Sequence, residues 1–146
     1  MLEVGKFCLI STEEDIVGSG IPLLLLPTEG RFYGQGWRSD THHFLLELEK
    51  WVKPGMTVLD FGCGTGILAI AAAKLGGVVT AVENDPIVAE SAREHVALNI
   101  VEVTLVATAP DKTFDIVVAN MGNELDDFLP QLRHTLKKNG VALWRV

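Results

Sequence analysis

Val58-Leu59-Asp60-Phe61-Gly62-Cys63-Gly64-Thr65-Gly66 decides how the rest of the chain is read. An apolar run ends at an acid, passes through three glycines at alternate positions, and enters an alanine-rich helical pattern from Ile67 to Leu75. Glycine lets the backbone turn tightly and lets a ligand approach without a Cβ in the way. A plain strand-to-helix turn rarely needs three of them at this spacing. In parallel α/β sheets, ligands bind beyond the carboxyl ends of the strands, which is where this loop lies. The stretch therefore predicts a cofactor loop in which Gly62, Cys63, Gly64, Thr65 and Gly66 surround the ligand.

The flanking pattern alternates strand and helix. Thr57 to Phe61 follows a Pro54–Gly55 turn, and Gly76–Gly77 stops the first helix before a second strand, Val78 to Val82. Asp85 caps the next helix, with Pro86 in its first turn, and that helix runs to about Asn99. Val101–Val106 and Phe114–Ala119 read as the third and fourth strands. A helix from about Glu124, with Asn123 as its cap and an interruption at Pro130, leads through a Lys138–Gly140 turn to a last strand, Val141–Val146. Such alternation implies parallel pairing with right-handed crossovers, hence a Rossmann-like, doubly wound, mostly parallel sheet in an α/β protein. Upstream, Phe7–Ser11 and Ile21–Leu26 read as short strands separated by a polar Thr12–Gly20 loop, followed by a glycine-rich turn, Gly30–Gly36. Ser39 and Asp40 are N-cap candidates for a helix to about Val52, with Phe44, Leu45, Leu48 and Trp51 on one core-facing side. The chain reads as one domain over residues 1–146, with N-terminal strands and glycine turn in 1–36 and the Rossmann-like core in 37–146.

Composition narrows the class of function. The 146 residues are 48% hydrophobic and 21% charged, which suits one globular domain and excludes a disordered chain. A formal charge of −7 repels phosphate backbones, so a nucleic-acid partner is not expected. No apolar run approaches the ~18 residues needed to span a bilayer, and Glu3 and Lys6 break any signal-peptide pattern. Cys8 and Cys63 have no metal-ligand spacing and imply a reduced, cytoplasmic setting, with Cys63 a small packing residue rather than a nucleophile. His42 and His43 are adjacent, so on a helix they point about 100° apart and cannot share one ion. No metal is expected.

Glu83 ends the second strand, 21 residues after Gly62, where a carboxylate can accept both hydroxyls of a ribose, with Asn84 beside it. Gly64-Thr65-Gly66-Ile67-Leu68-Ala69 also fits the dinucleotide fingerprint, so spacing leaves both an adenosine-sulfonium cofactor and NAD open. Asp60 weighs against NAD. An acid just before the loop suits the ammonium of S-adenosylmethionine and would face a pyrophosphate unfavourably. Asn120 ends the fourth strand at the crevice mouth and carries one acceptor and two donors, enough to orient an amine. Trp37, beside the glycine-rich turn, reads equally well as core or as a cover for the ligand.

With these motifs in place, nearly the whole chain resembles the methyltransferases of large-subunit ribosomal protein eleven, the PrmA family. Tyr33-Gly34-Gln35-Gly36-Trp37-Arg38-Ser39-Asp40-Thr41 looks like that family's Phe-Gly-Thr-Gly-x-His-x-Thr-Thr segment, and it is the most specific match. Val4–Phe7, Ile21–Leu23, Gly66–Ala71 and Val118–Met121 are also close to the family pattern. The resemblance implies a class I methyltransferase core that binds S-adenosylmethionine, with Glu83 on the ribose, Thr41 near the methionine end, and Tyr33 and Asn120 near the transferred methyl. It implies an amine acceptor on a protein or a small molecule, and lysine side chains or N-termini are the family's usual ones. Arg38 and Asp40 depart from the family's His and first Thr. The loop from Ala107 to Thr113 is short and lacks the acid that often touches the adenine amine, which leaves Thr108 or backbone for that contact. The core is read as shortened at its C-terminus, stopping after a fifth strand, without the family's separate substrate-recognition domain. From this follow two further expectations: a homodimer, or an exposed last-strand edge covered by the strands around Phe7 and Leu24. The alternative reading is a degenerate relative that binds the cofactor, or a partner protein, without transferring a methyl.

Overall fold

The computed structural model describes residues 1–11, 19–26 and 39–144. Its core is a five-stranded, wholly parallel sheet built from β4 (Thr57–Phe61), β5 (Val78–Val82), β6 (Val103–Val106), β7 (Phe114–Ala119) and β8 (Leu136–Trp144), in the order β6-β5-β4-β7-β8. The chain reverses its direction of progress between β4 and β7, and this is the switch point where parallel sheets open a crevice. A second sheet joins β1 (Leu2–Val4), β2 (Phe7–Ser11) and β3 (Ile21–Leu25), antiparallel in its first pair and parallel in its second. Among the described residues, no helix is long and apolar enough to cross a membrane.

Helices α1 (Ser39–Trp51), α2 (Ile67–Lys74) and α3 (Pro86–Leu98) lie on the side of the core sheet reached by Val58, Val79, Ile116 and Val118. Strand side chains alternate between faces. The opposite set, Leu59, Phe61, Val82, Val117 and Ala119, packs against α4 (Leu125–His134). Helix α2 is apolar all round because it is covered all round, with Ile67 through Ala72 all buried.

The small sheet packs on α1, α2 and α3, so the strands around Phe7 and Leu24 do not cover the edge of the last core strand as expected. The open edge of β3 is instead closed by side chains of α3 and its cap. Asn99 Oδ1 accepts from the Leu24 amide at 2.8 Å, and Asn99 Nδ2 donates to the Leu24 carbonyl at 2.9 Å. The carboxamide thus replaces a neighbouring strand and blunts an edge that would otherwise pair with another chain. His95 accepts from the Leu26 amide through Nε2 at 3.1 Å, while its Nδ1 lies 2.8 Å from the Ser91 carbonyl. A carbonyl only accepts, so Nδ1 carries the proton. Burial holds this imidazole below its usual range, in the neutral form that the arrangement requires.

Five local expectations are corrected. Trp51 is 37% exposed, and Val52 takes its place in the core, because the buried stripe of α1 runs Thr41, Phe44, Leu45, Leu48. The indole donates to Glu47 and sits under the Lys50 ammonium. Strand β6 begins at Val103 rather than Val101, since the amides of Ile100 and Val101 bond back to Ala97 and Val96 in the last turn of α3. Helix α4 has Glu124, not Asn123, at its N-cap, and it runs through Pro130 unbroken. Pro130 is on the exposed side, so water can serve the carbonyl it leaves without an amide partner. Strand β8 starts at Leu136, and the Lys138–Gly140 turn is an irregularity inside it, between the pairs Phe114–Leu136 and Ile116–Val141. Asp85 caps α3 as expected, accepting from the Ile87 and Val88 amides. Residues Tyr33, Trp37 and Arg38 lie outside the described residues.

Candidate functional site at the switch point

The turn from β4 into α2 takes its shape from its glycines. Gly62, Gly64 and Gly66 have φ of 73°, 56° and 84°, a region that costs an L side chain about 1–2 kcal/mol at each position. A Cβ on Gly62 would also come to 3.4 Å from Met121, just beyond the end of β7. The turn is pinned to β5 from two sides. The amides of Gly62 and Cys63 donate to the Val82 carbonyl at 2.9 and 3.0 Å, and the Gly64 amide donates to Glu83 Oε1 at 3.1 Å. Glu83 Oε2 accepts from the Asp85 amide at 3.2 Å, so this carboxylate joins the glycine turn to the start of α3.

A cleft of about 520 Å³ opens above these strand ends. Gly62 and Gly64 form one part of its wall, Glu83 and Asn84 another, with Thr108 after β6 and Asn120 after β7. Six residues singled out in the sequence therefore meet in one cavity, and four different strands deliver them. Asp60, Cys63, Thr65, Gly66 and Thr41 are not in its walls. Cys63 is buried, and burial together with the Asp60 and Glu83 charges pushes its thiol well above the usual range, so it stays protonated and packs. Gly66 is the N-cap of α2, and Thr65 is fully buried beside it.

Asp60 and Thr41 behave differently from the rest. Among the described residues, Asp60 Oδ2 and Thr41 Oγ1 are the two buried side-chain oxygens without a hydrogen-bond partner. A buried orphan polar atom costs about 1–3 kcal/mol. Burial pushes the Asp60 carboxyl up to about 7, against a lowering hydrogen bond from the Ala69 backbone, with the Glu83 charge adding to the rise. These oxygens are acceptors waiting for a donor. Asp60 is read from the sequence as facing the ammonium of the cofactor, the family resemblance implies Thr41 near the same methionine end, and an ammonium group offers three donors. This pair of acceptors thus fits an amino-acid-bearing nucleoside.

The far wall of the cleft was not legible in the sequence. Helix α4 and the turn before it contribute Met121, Gly122, Glu124, Phe128 and Gln131. Glu124, Phe128 and Gln131 follow at intervals of four and three, so they share one helical face. Val82, Val88 and Ala107 also line the cleft, and Phe128 meets Phe61 with ring centroids 5.2 Å apart. Only the 4–3 spacing, read against the position of Asn120, could have signalled this face. No group of His, Cys, Asp and Glu among the described residues could hold a metal ion.

A parallel sheet in this strand order, with a glycine turn and an acid bonded to it at the switch point, defines a class I methyltransferase-like domain. The family model described as ribosomal protein L11 methyltransferase (PrmA) matches residues 22–144. The chain belongs to this family. It is 40% identical to the ribosomal protein L11 methyltransferase of Thermus thermophilus over 132 residues, covering 86% of this chain and 51% of that one. It is also 40% identical to the Thermosipho africanus protein of the same name, covering 80% of this chain and 47% of that one. The chain thus spans about half the length of these curated relatives. A crystal structure of ribosomal protein L11 methylase from Lactobacillus delbrueckii subsp. bulgaricus superposes with a TM-score of 0.83 at 32% identity, over 94% of this chain and 75% of that chain.

Proposed function

We propose that this chain binds S-adenosylmethionine and transfers its methyl group to an amine nitrogen of a protein acceptor, a lysine side chain or an N-terminus. The observation that carries the reading is the meeting of the glycine turn, Glu83 and Asn120 in one cleft at the switch point. Family membership favours this enzymatic reading over the non-catalytic alternative, and the relatives' name makes ribosomal protein L11 the first acceptor to test. Residues 1–146 act as one unit on this reading, because the small sheet shares its core with α1–α3. A cytoplasmic location, and a homodimer, belong to the same proposal.

When bound, the cofactor supplies an electrophilic methyl on a sulfonium. Gly62 and Gly64 give its backbone-close approach, and Glu83 accepts from the ribose hydroxyls with lone pairs left over from its two amide partners. Asn84 and Thr108 border the nucleoside, Asp60 and Thr41, whose buried oxygens lack partners, serve the ammonium end, and Cys63, Thr65 and Gly66 hold the shape of the turn that wraps the cofactor. Asn120 accepts a hydrogen bond from the incoming amine and aims its lone pair at the methyl, a task of orientation. Tyr33, which lies outside the described residues, is the aromatic residue that the family resemblance assigns to the methyl donor.

Calorimetry and radiolabelled methyl incorporation test this together. S-adenosylhomocysteine should bind and NAD should not, and Glu83→Ala should weaken binding by roughly tenfold to a few hundredfold. Asn120→Ala should keep cofactor affinity within about threefold while methyl transfer to ribosomal protein L11 falls at least ~100-fold. Binding of NAD in place of S-adenosylhomocysteine would overturn the reading.

A further inference from the structure

Resting on that reading, we infer that Gln131 on α4 reads the amino edge of the adenine, and that Phe128 one turn before it forms the plane on which the base lies. The cleft has two ends. At one, Asn120, Met121 and the glycine turn sit at the strand ends where the reacting groups belong. Helix α4 starts there and carries its cleft-facing residues away, and the seven steps from Glu124 to Gln131 span about 10 Å of helix axis. Gln131 is therefore at the end of this wall most distant from the methyl-transfer end. The sugar is held at Glu83, and the apolar part of the cleft is lined by Val82, Val88, Ala107 and Phe128, so the base lies among these side chains. This is an apolar slot with an aromatic face, which suits a flat heterocycle.

The polar edge of the base needs a partner at the far end of that slot. The β6–β7 connection gives the cleft only Ala107 and Thr108, a methyl and a short hydroxyl, while its Asp111 stays out of the walls. Asn84 follows Glu83 directly in the chain, and both line the cleft. Gln131 has the reach of a long side chain, and its carboxamide can accept from the exocyclic amine while donating to the adjacent ring nitrogen. It is exposed, so it has no packing role to lose on substitution.

The test is a cycle between one side chain and one ligand group. The ligands are S-adenosylhomocysteine and its 6-deamino analogue, which carries hydrogen in place of the amine. The whole chain is titrated calorimetrically with each. Wild type should prefer the amine by about tenfold, the worth of one hydrogen bond. Gln131→Leu should reduce that preference to within about twofold. Phe128→Ala should weaken both ligands by about tenfold and leave the preference intact, because stacking is indifferent to the amine. An unchanged preference in Gln131→Leu overturns the assignment, as does a preference that disappears with Thr108→Ala or Asn84→Ala instead. Failure of wild type to bind S-adenosylhomocysteine at all brings down the cofactor reading itself, a result distinct from binding without discrimination.

Discussion

The two faces of the core sheet are covered very differently. One lies under α1, α2 and α3, which in turn lie under a second sheet, and its buried cluster runs continuously from Val4 to Leu143. The other has α4 as its helix, and its cluster is small, centred on Leu59, Phe114, Val117 and Leu132. The cleft opens where Phe61 and Phe128 of the thin side meet the strand ends. The difference shows a division of labour. The thick side fixes the glycine turn through α2, whose first residues are all buried, and the thin side leaves room for a ligand. A site must combine a rigid positioning element with space, and here each comes from a different face.

The largest effect expected from this contrast concerns the carboxyl group buried on the thick side. Asp60 is 1% exposed, with its carboxyl pushed up to about 7. Between pH 4 and pH 7 the folded protein holds a proton that the unfolded chain has released. Unfolding then releases protons, so stability falls as pH rises through this window, by on the order of 4 kcal/mol. Urea melts across that range should show this slope in wild type and lose it in Asp60→Asn. Equal slopes in the two proteins would mean that Asp60 is ionised in the fold.

Core deletions should separate the faces next. Ile70 is wholly enclosed in α2, and Ile70→Ala should cost about 3 kcal/mol. Half-buried Phe128 on the thin side should cost about 2 kcal/mol when truncated to Ala, with its larger consequence in ligand affinity. Equal losses of stability would erase the distinction between the faces. The outer layer of the thick side depends on the Asn99 carboxamide. Asn99→Ala leaves the Leu24 amide and carbonyl unpaired and should cost about 2 kcal/mol, with faster hydrogen exchange confined to β3. The smallest effect is a gain. Ile100 sits at φ 54° after α3 and is 91% exposed, so a β-branched side chain is held in left-handed backbone without packing in return. Ile100→Gly should stabilise by about 1 kcal/mol, readable as a higher melting temperature.

The fold was legible because its signals are local. Strands β4, β5 and β7 and helices α2 and α3 fall within a residue or so of where apolar runs, Gly76–Gly77 and the Asp85-Pro86 cap place them. The glycines at 62, 64 and 66 declare their left-handed backbone in their identity, since other side chains are penalised there. The irregular stretches were read less well: β8 absorbs an expected turn, and α4 continues past its proline, because pairing with β7 and solvent access outweigh local preference.

By itself the sequence determined the glycine turn, the acid facing it and Asn120, each set by a residue type at a strand end. Tertiary structure alone decided the rest. It left Asp60 and Thr41 as buried acceptors without partners, which depends on what surrounds them and not on their neighbours in the chain. It brought the Glu124, Phe128 and Gln131 face of α4 over the strand ends. A helical periodicity says which residues share a face, but the packing of that helix on the sheet determines what the face looks upon.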